Sequence, residues 1–191
     1  NYRLVCLVDN FSKSFEKIVC SRLLDFLNET NFFIDTQFGF RRTLSTKHAI
    51  LAIINFITKH LNDNKYVLAI CLDVMKAFDS VDHNILFNKL ENAGIRGISL
   101  SWFKSYFTNR FQRVFLNGVF SDNICRIILG VLQGSILGVI LFLIMVNDIF
   151  YACPELLNII FADDLSSLAE DISLEGVIDK DGNIKASFEL N

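Results

Sequence analysis

The 191 residues, 52% of them hydrophobic and nineteen of them Phe, are enough for one domain with an ample core, and carry more apolar surface than a self-contained soluble domain needs. The formal charge of −3 is unevenly spread: residues 1–162 hold sixteen Lys and Arg against thirteen Asp and Glu, and residues 163–191 hold two against eight. So small a basic surplus excludes strong phosphate binding by this chain's charge alone. Cys6, Cys20, Cys71, Cys125 and Cys153 are widely spaced with no C-x-x-C pair, which excludes a disulfide framework and argues against structural zinc. A reduced intracellular setting follows, nuclear or cytoplasmic, with no secretory leader at the start of the chain.

Asn10 and Ser12 are candidate caps of a first helix whose apolar stripe is Phe15, Ile18, Val19, Leu23, Phe26 and Leu27. Ser45 or Thr46 opens a second, carrying Ile50, Ile53, Ile54, Ile57 and Leu61. Residues 68–72 are predicted as a buried strand running into Asp73. Ser80 or Asp82 starts a helix through Leu86 and Leu90 that ends at Gly94, and another helix covers residues 99–108. Asn117-Gly118 marks a hairpin within residues 114–120. Residues 127–146 are twenty positions without a charge, long enough to cross a bilayer. Gly130, Gln133 and Gly134 instead divide this stretch into a strand ending near Leu129, a loop, and a buried helix over about residues 136–150. No Lys or Arg cluster flanks it as a membrane anchor would. Residues 156–168 read as a second hairpin with Asp163-Asp164 at its turn. Helices on a mainly antiparallel sheet make the fold α+β. Composition breaks near residue 170, so residues 1–170 form the body and residues 171–191 a divergent acidic tail.

Two aspartate groups end apolar runs: Asp73 after residues 68–72, and Asp163-Asp164 after residues 156–161. Alone, an Asp-Asp pair is a solvated turn. Carboxylates at two matched strand ends, beside a core, call for a cation. Three acids from adjacent strands suit two Mg2+ ions about 4 Å apart, the arrangement that serves phosphoryl transfer.

The words around these acids, in order, are Tyr2-Arg3, residues 10–19, Gln37-Phe38-Gly39-Phe40-Arg41 with Ser45-Thr46, and residues 72–79 with Ser80-Val81-Asp82-His83. Trp102-Phe103, Tyr106, Asn109-Arg110, Gln112-Arg113-Val114, residues 130–138, Asn147-Asp148 and Phe161-Ala162-Asp163-Asp164 follow. Over residues 2–170 the chain closely resembles the reverse transcriptase domain of non-LTR (LINE-type) retrotransposons. The resemblance implies a polymerase palm-like sheet packed with helices, with partial fingers and no thumb. It implies RNA-directed DNA polymerase activity, with RNA template, DNA primer and dNTPs as partners and two Mg2+ ions, for which Mn2+ can substitute, as cofactors.

By the same resemblance Asp73, Asp163 and Asp164 are catalytic metal ligands, with Asp164 the least firmly placed. Asp79, six residues past Asp73, reads as a helix cap. Phe78 matches the aromatic that packs against the nucleotide sugar and excludes a 2′-hydroxyl; a core Phe is the other reading. Gln133-Gly134 matches the loop under the template base and nucleotide, Gly allowing close backbone approach and Gln supplying an amide. Arg3 matches a fingers arginine that grips the triphosphate. Arg41 is a second phosphate candidate or one half of a structural salt bridge. Lys104, Arg110 and Arg113, interleaved with aromatics, either bind a single strand by stacking and charge or belong to a helix and strand that bury their rings. His48, His60 and His83 have no partner visible in sequence.

The family usually places Pro where Leu4, Leu132 and Val139 stand, and the chain has one Pro, Pro154. With thumb and endonuclease parts of a longer polyprotein missing, low activity for the chain alone is expected. Two alternatives are a non-catalytic retroelement remnant with weak nucleic-acid binding, and a small membrane protein built on residues 127–146.

Overall fold

The computed structural model describes residues 5–152 and 154–173. In chain order its elements are α1 (Asn10–Glu29), α2 (Thr46–Asn62), β1 (Tyr66–Asp73), α3 (His83–Asn92), α4 (Gly97–Phe107), β2 (Phe111–Gln112), β3 (Phe115–Leu116), β4 (Val119–Phe120), β5 (Cys125–Arg126), α5 (Ile136–Val146), β6 (Leu157–Phe161) and β7 (Asp164–Asp171). Short 3-10 turns lie at Ala77–Ser80 and Ile149–Ala152. The chain divides into two compact units. One combines the described residues up to Phe32 with Lys76–Met145; the other combines Phe33–Met75 with the described residues from Val146 on. Helices packed with antiparallel sheets make the fold α+β, as expected.

In the first unit α3 packs on α4. Leu86 and Leu90 of α3, Leu100, Phe103 and Phe107 of α4, and Leu23 and Leu27 of α1 are buried. Asp82 caps α3 by accepting from the backbone N–H of Asn84 and Ile85. Gly94, at φ +95°, follows its end. Asn117 and Gly118 both have positive φ, so β3 and β4 pair through a two-residue turn of the type their right-handed twist favours. Helix α5 has no polar face, and residues 137–144 are buried except for the half-buried Val139, as an all-apolar helix requires.

Two sequence expectations are revised here, both for α1, while the division of residues 127–146 into loop and helix is as expected. The inner face of α1 is Glu16, Cys20, Leu23 and Leu27, while Phe15 and Ile18 are exposed. A carboxylate can face inward because two donors meet it, as described below. The cap of α1 is Asp9, which accepts from the Ser12 backbone and hydroxyl. The uncharged stretch 127–146 is not one helix: Gly130 (φ +88°) and Gly134 (φ +96°) lie in a loop, and α5 is only 11 residues long, roughly 16 Å against a 30 Å bilayer core. Among the described residues no helix is long and apolar enough to cross a membrane.

In the second unit β7 lies between β1 and β6, antiparallel to both. Helix α2 packs on this sheet through Ala49, Ala52, Ile53, Phe56 and Ile57, which meet Val67, Leu157, Ile159, Phe161 and Leu168. Each well-buried aliphatic side chain there contributes roughly 2 kcal/mol. β6 is buried over Asn158–Ile160, but no residue of β1 is, contrary to the prediction of a buried strand. β1 and β6 are both edge strands, but β6 is bridged on its outer side by Gln37 and β1 has β7 alone beside it, so the apolar composition of β1 does not translate into burial.

Candidate active site

The geometry begins with a hairpin. Phe161 and Asp164 are the last pair between β6 and β7, leaving Ala162-Asp163 as a two-residue turn. Ala162 takes φ +60° and Asp163 does not, as in a turn whose first central residue is normally Gly. On the other side of β7, Asp73 lies directly opposite Asp164. Side chains of such a pair leave the same face of the sheet with Cβ atoms about 5 Å apart. Asp73 and Asp164 are exposed and Asp163 half-buried. Among the described residues none of the three pairs with a Lys, Arg or His. Two like charges in one cross-strand pair repel, so a cation would relieve the pair. Among the described residues no three His, Cys, Asp or Glu side chains are disposed to hold one ion together. The structure thus brings Asp73 and Asp164 into one pair and sets Asp163 in the adjoining turn.

The Gln37–Arg41 segment supports that turn. The Phe38 N–H donates to the Ile160 carbonyl at 2.8 Å, and the Ile160 N–H donates to the Thr36 carbonyl at 3.0 Å, adding a parallel bridge beside β6. Gln37 is fully buried, and its Oε1 accepts from the Gly39 N–H at 2.9 Å. A Cβ on Gly39 would stand 2.4 Å from the Ala162 nitrogen, so only Gly lets the segment approach the aspartate turn. Arg41 donates from Nη1 to the Ile34 carbonyl at 3.0 Å and lies 5.8 Å from the Phe33 ring centroid. Among the described residues it is anchored by these local contacts and forms no salt bridge.

The first unit holds the second group of expected residues. The loop before α5 is tied down at many points. Gly130 N–H and Val131 N–H donate to the carbonyls of Val81 and Phe78, both at 2.8 Å, and His83 Nε2 meets the Gly130 carbonyl at 2.8 Å. A Cβ on Gly130 would come within 2.9 Å of the Asp79 backbone, which explains Gly there. Gln133 donates from Nε2 to Asp79 Oδ1 at 3.1 Å, and its carbonyl accepts from the Cys6 N–H at 2.9 Å. Burial pushes the Cys6 thiol up, with Arg110 acting against that shift and Asp79 adding to it, so both charges are felt beside Gln133. The half-buried Phe78 stacks its ring on Phe142 at 4.3 Å. Lys104 lies over Phe87, Arg110 over Tyr106 and Arg113 over Phe120, at 6.0, 4.3 and 4.0 Å from the ring centroids. Each thus has a ring partner within the chain. Arg3 lies outside the described residues.

Asp79, His83 and Gln37 are the residues whose roles the sequence did not disclose. Each acts on a group far along the chain or through the backbone, and only the family words containing them drew attention to their positions.

Comparison with known proteins decides the family. Residues 1–177 match the model of the reverse transcriptase (RNA-dependent DNA polymerase) family. The chain belongs to that family. A probable RNA-directed DNA polymerase from transposon BS of Drosophila melanogaster is 32% identical over 182 residues, 91% of this chain and 19% of that protein. The RNA-directed DNA polymerase from the mobile element jockey of the same species is 28% identical over 181 residues, 91% of this chain and 20% of that protein. These relatives make this a LINE-type reverse transcriptase sequence that spans about a fifth of their length. In fold it resembles the apo telomerase of Candida tropicalis truncated from its C-terminal domain, with a TM-score of 0.60 at 17% identity, over 85% of this chain and 34% of that one. That likeness concerns the fold alone.

Proposed function

We propose that this reverse transcriptase chain supplies the metal-binding and nucleotide-facing part of a larger RNA-directed DNA polymerase, with Asp73, Asp163 and Asp164 as metal ligands. The register that sets Asp73 opposite Asp164, with Asp163 in the intervening turn, carries this reading. The donors fit Mg2+: all are carboxylate oxygens, and this ion is usually held by one or two carboxylates, with water and substrate phosphates completing its shell. A carboxylate pair with a third carboxylate in the adjoining turn meets that preference. Mn2+ is a suitable substitute. The chemistry that two such ions supply when bound is activation of the primer 3′-hydroxyl and neutralisation of charge on the transferring phosphoryl group.

The chain's own residues have positioning tasks. Gln37 and Gly39 hold the turn of Asp163. Gln133-Gly134 offers an amide and a bare backbone to the nucleotide, with Asp79 fixing the orientation of the amide. Phe78 selects deoxyribose over ribose. Arg3 and Arg41 bind phosphate, and Lys104, Arg110 and Arg113 offer cation-capped rings to a single strand. The substrates are dNTPs with an RNA template and DNA primer, and the remaining parts of the longer protein are partners. Cys6, Cys20, Cys71 and Cys125 are all free thiols, which supports a reducing compartment, cytoplasmic or nuclear.

A chimera of the transposon BS protein, with its matching fifth replaced by these residues, tests the proposal. Primer extension on RNA with Mg2+ and dNTPs is expected, and Asp73→Asn and Asp163→Asn should each abolish it. Extension that survives both substitutions would contradict the assignment.

A further inference from the structure

Glu16 is the single acidic side chain buried among the described residues, at 2% exposure, and the proposed chemistry gives it no part. Its two oxygens are divided between two partners. Oε1 accepts from the Tyr106 hydroxyl at 2.6 Å, and Oε2 accepts from the Ile136 N–H at 3.0 Å. Ile136 is the first residue of α5, directly after Gly134-Ser135. Beside them, Ser135 Oγ accepts from the Gly138 N–H at 2.8 Å. The same small network therefore holds α1, α4 and the start of α5. Trp102, stacked on Tyr106 at 5.5 Å between centroids, and Arg110, over the Tyr106 ring at 4.3 Å from its centroid, hold the ring that presents the hydroxyl.

We propose that Glu16 is a positioning residue for the Gln133-Gly134 loop, an inference that rests on reading this loop as nucleotide-facing. The loop is held on both of its sides. On its N-terminal side Gln133 is held by Cys6 and Asp79. On its C-terminal side Glu16 accepts from the Ile136 N–H, which fixes where α5 begins and hence where the two preceding residues sit. Removing the carboxylate leaves a helix-start N–H and a part-buried hydroxyl without this acceptor, so the loop loosens from that side. Gln at this position keeps both contacts: its carbonyl oxygen accepts from Ile136 N–H, and its amide donates to the Tyr106 oxygen.

The test measures two quantities on the 191-residue chain, hydrogen exchange of the amides of residues 132–137 and the Kd for dTTP with Mg2+. Glu16→Ala is expected to speed that exchange at least about tenfold and to weaken dTTP binding at least about fivefold. Glu16→Gln should remain near the parent chain in both. Leu27→Ala, a core truncation on the same helix, should change neither at a temperature where it is folded. If Glu16→Ala does not fold, Tyr106→Phe, which removes one of the two bonds, is expected to give the same changes in smaller measure. Parent-like exchange in the Glu16→Ala or Tyr106→Phe chain, or an equal change in Leu27→Ala, overturns the proposal. A parent chain that does not bind dTTP contradicts the nucleotide reading of the loop, while exchange still decides whether Glu16 holds it.

Discussion

At Gly39 a single missing methyl group decides how closely one segment approaches another. A Cβ there would meet the backbone of Ala162 at 2.4 Å, and backbone cannot swing aside as a long side chain can. Gly39→Ala is therefore expected to lower stability by roughly 1–3 kcal/mol and to weaken divalent-ion binding at the adjoining turn, measured by denaturant unfolding and Mn2+ titration. Tyr106 makes a second residue-level prediction. Burial pushes its hydroxyl well above the usual tyrosine range, and the bond to Glu16 pushes it the same way. A raised folded value stabilises the chain fully below the unfolded tyrosine value near 10, and that contribution is lost as pH rises above it. Absorbance at 295 nm should thus show Tyr106 resisting ionisation until the chain unfolds, a late step that Tyr106→Phe removes. Neither role was legible in the sequence. Glu16 sits in an amphipathic helix where an acid reads as solvated, and its partners lie 90 and 120 residues away. Asp79 reads as a cap for the same reason: its partner Gln133 is 54 residues distant.

Elements whose signals are local were read well, and those set by neighbours were not. Asn117-Gly118 closes a two-residue hairpin because turn chemistry is written in the turn itself, whereas the second hairpin turns at Ala162-Asp163, one residue before the expected Asp163-Asp164. Gly130 and Gly134 divided the uncharged stretch into loop and helix, since positive φ suits Gly and breaks a helix. The inner face of α1 was misplaced because the pattern of apolar residues cannot show that a carboxylate finds two part-buried donors. β1 was expected to be buried from its composition, whereas burial depends on how many strands and helices adjoin it. The strained turn gives this scale its prediction. Ala162 holds φ +60°, a region that Gly enters without penalty. Ala162→Gly is expected to stabilise the chain by about 0.5–1 kcal/mol while leaving the Asp73–Asp164 register and ion binding unchanged. A lower unfolding midpoint would show that the turn needs its methyl group more than its relaxed backbone.

On the scale of the molecule, the chain carries many exposed apolar side chains, among them Phe11 at 92%, Ile98 at 90% and Met75 at 84% exposure. It also spans about a fifth of its relatives. Both facts suit a part that works within a longer protein. Polymerase chemistry needs primer terminus and triphosphate held in line, and misplacement by about 1 Å can cost a hundredfold. The small basic surplus of residues 1–162 gives few phosphate contacts, so primer–template binding should be weak and fall quickly with salt. The isolated chain is therefore expected to extend primers little or not at all, with Asp163→Asn as the control. Extension by the 191 residues that vanishes in the control would show them to be a working minimal polymerase.

We propose that the hairpin carrying Asp163 and Asp164, with Asp73 beside it, is a divalent-ion site. Mn2+ broadening of backbone amide signals tests it most directly, because it locates the ion without requiring turnover. At substoichiometric Mn2+ the amides of Asp73, Ala162, Asp163 and Asp164 should broaden first, Mg2+ should reverse the effect by competition, and Asp73→Asn should weaken it. Broadening centred elsewhere, or unchanged by Asp73→Asn and Asp164→Asn alike, would contradict the account.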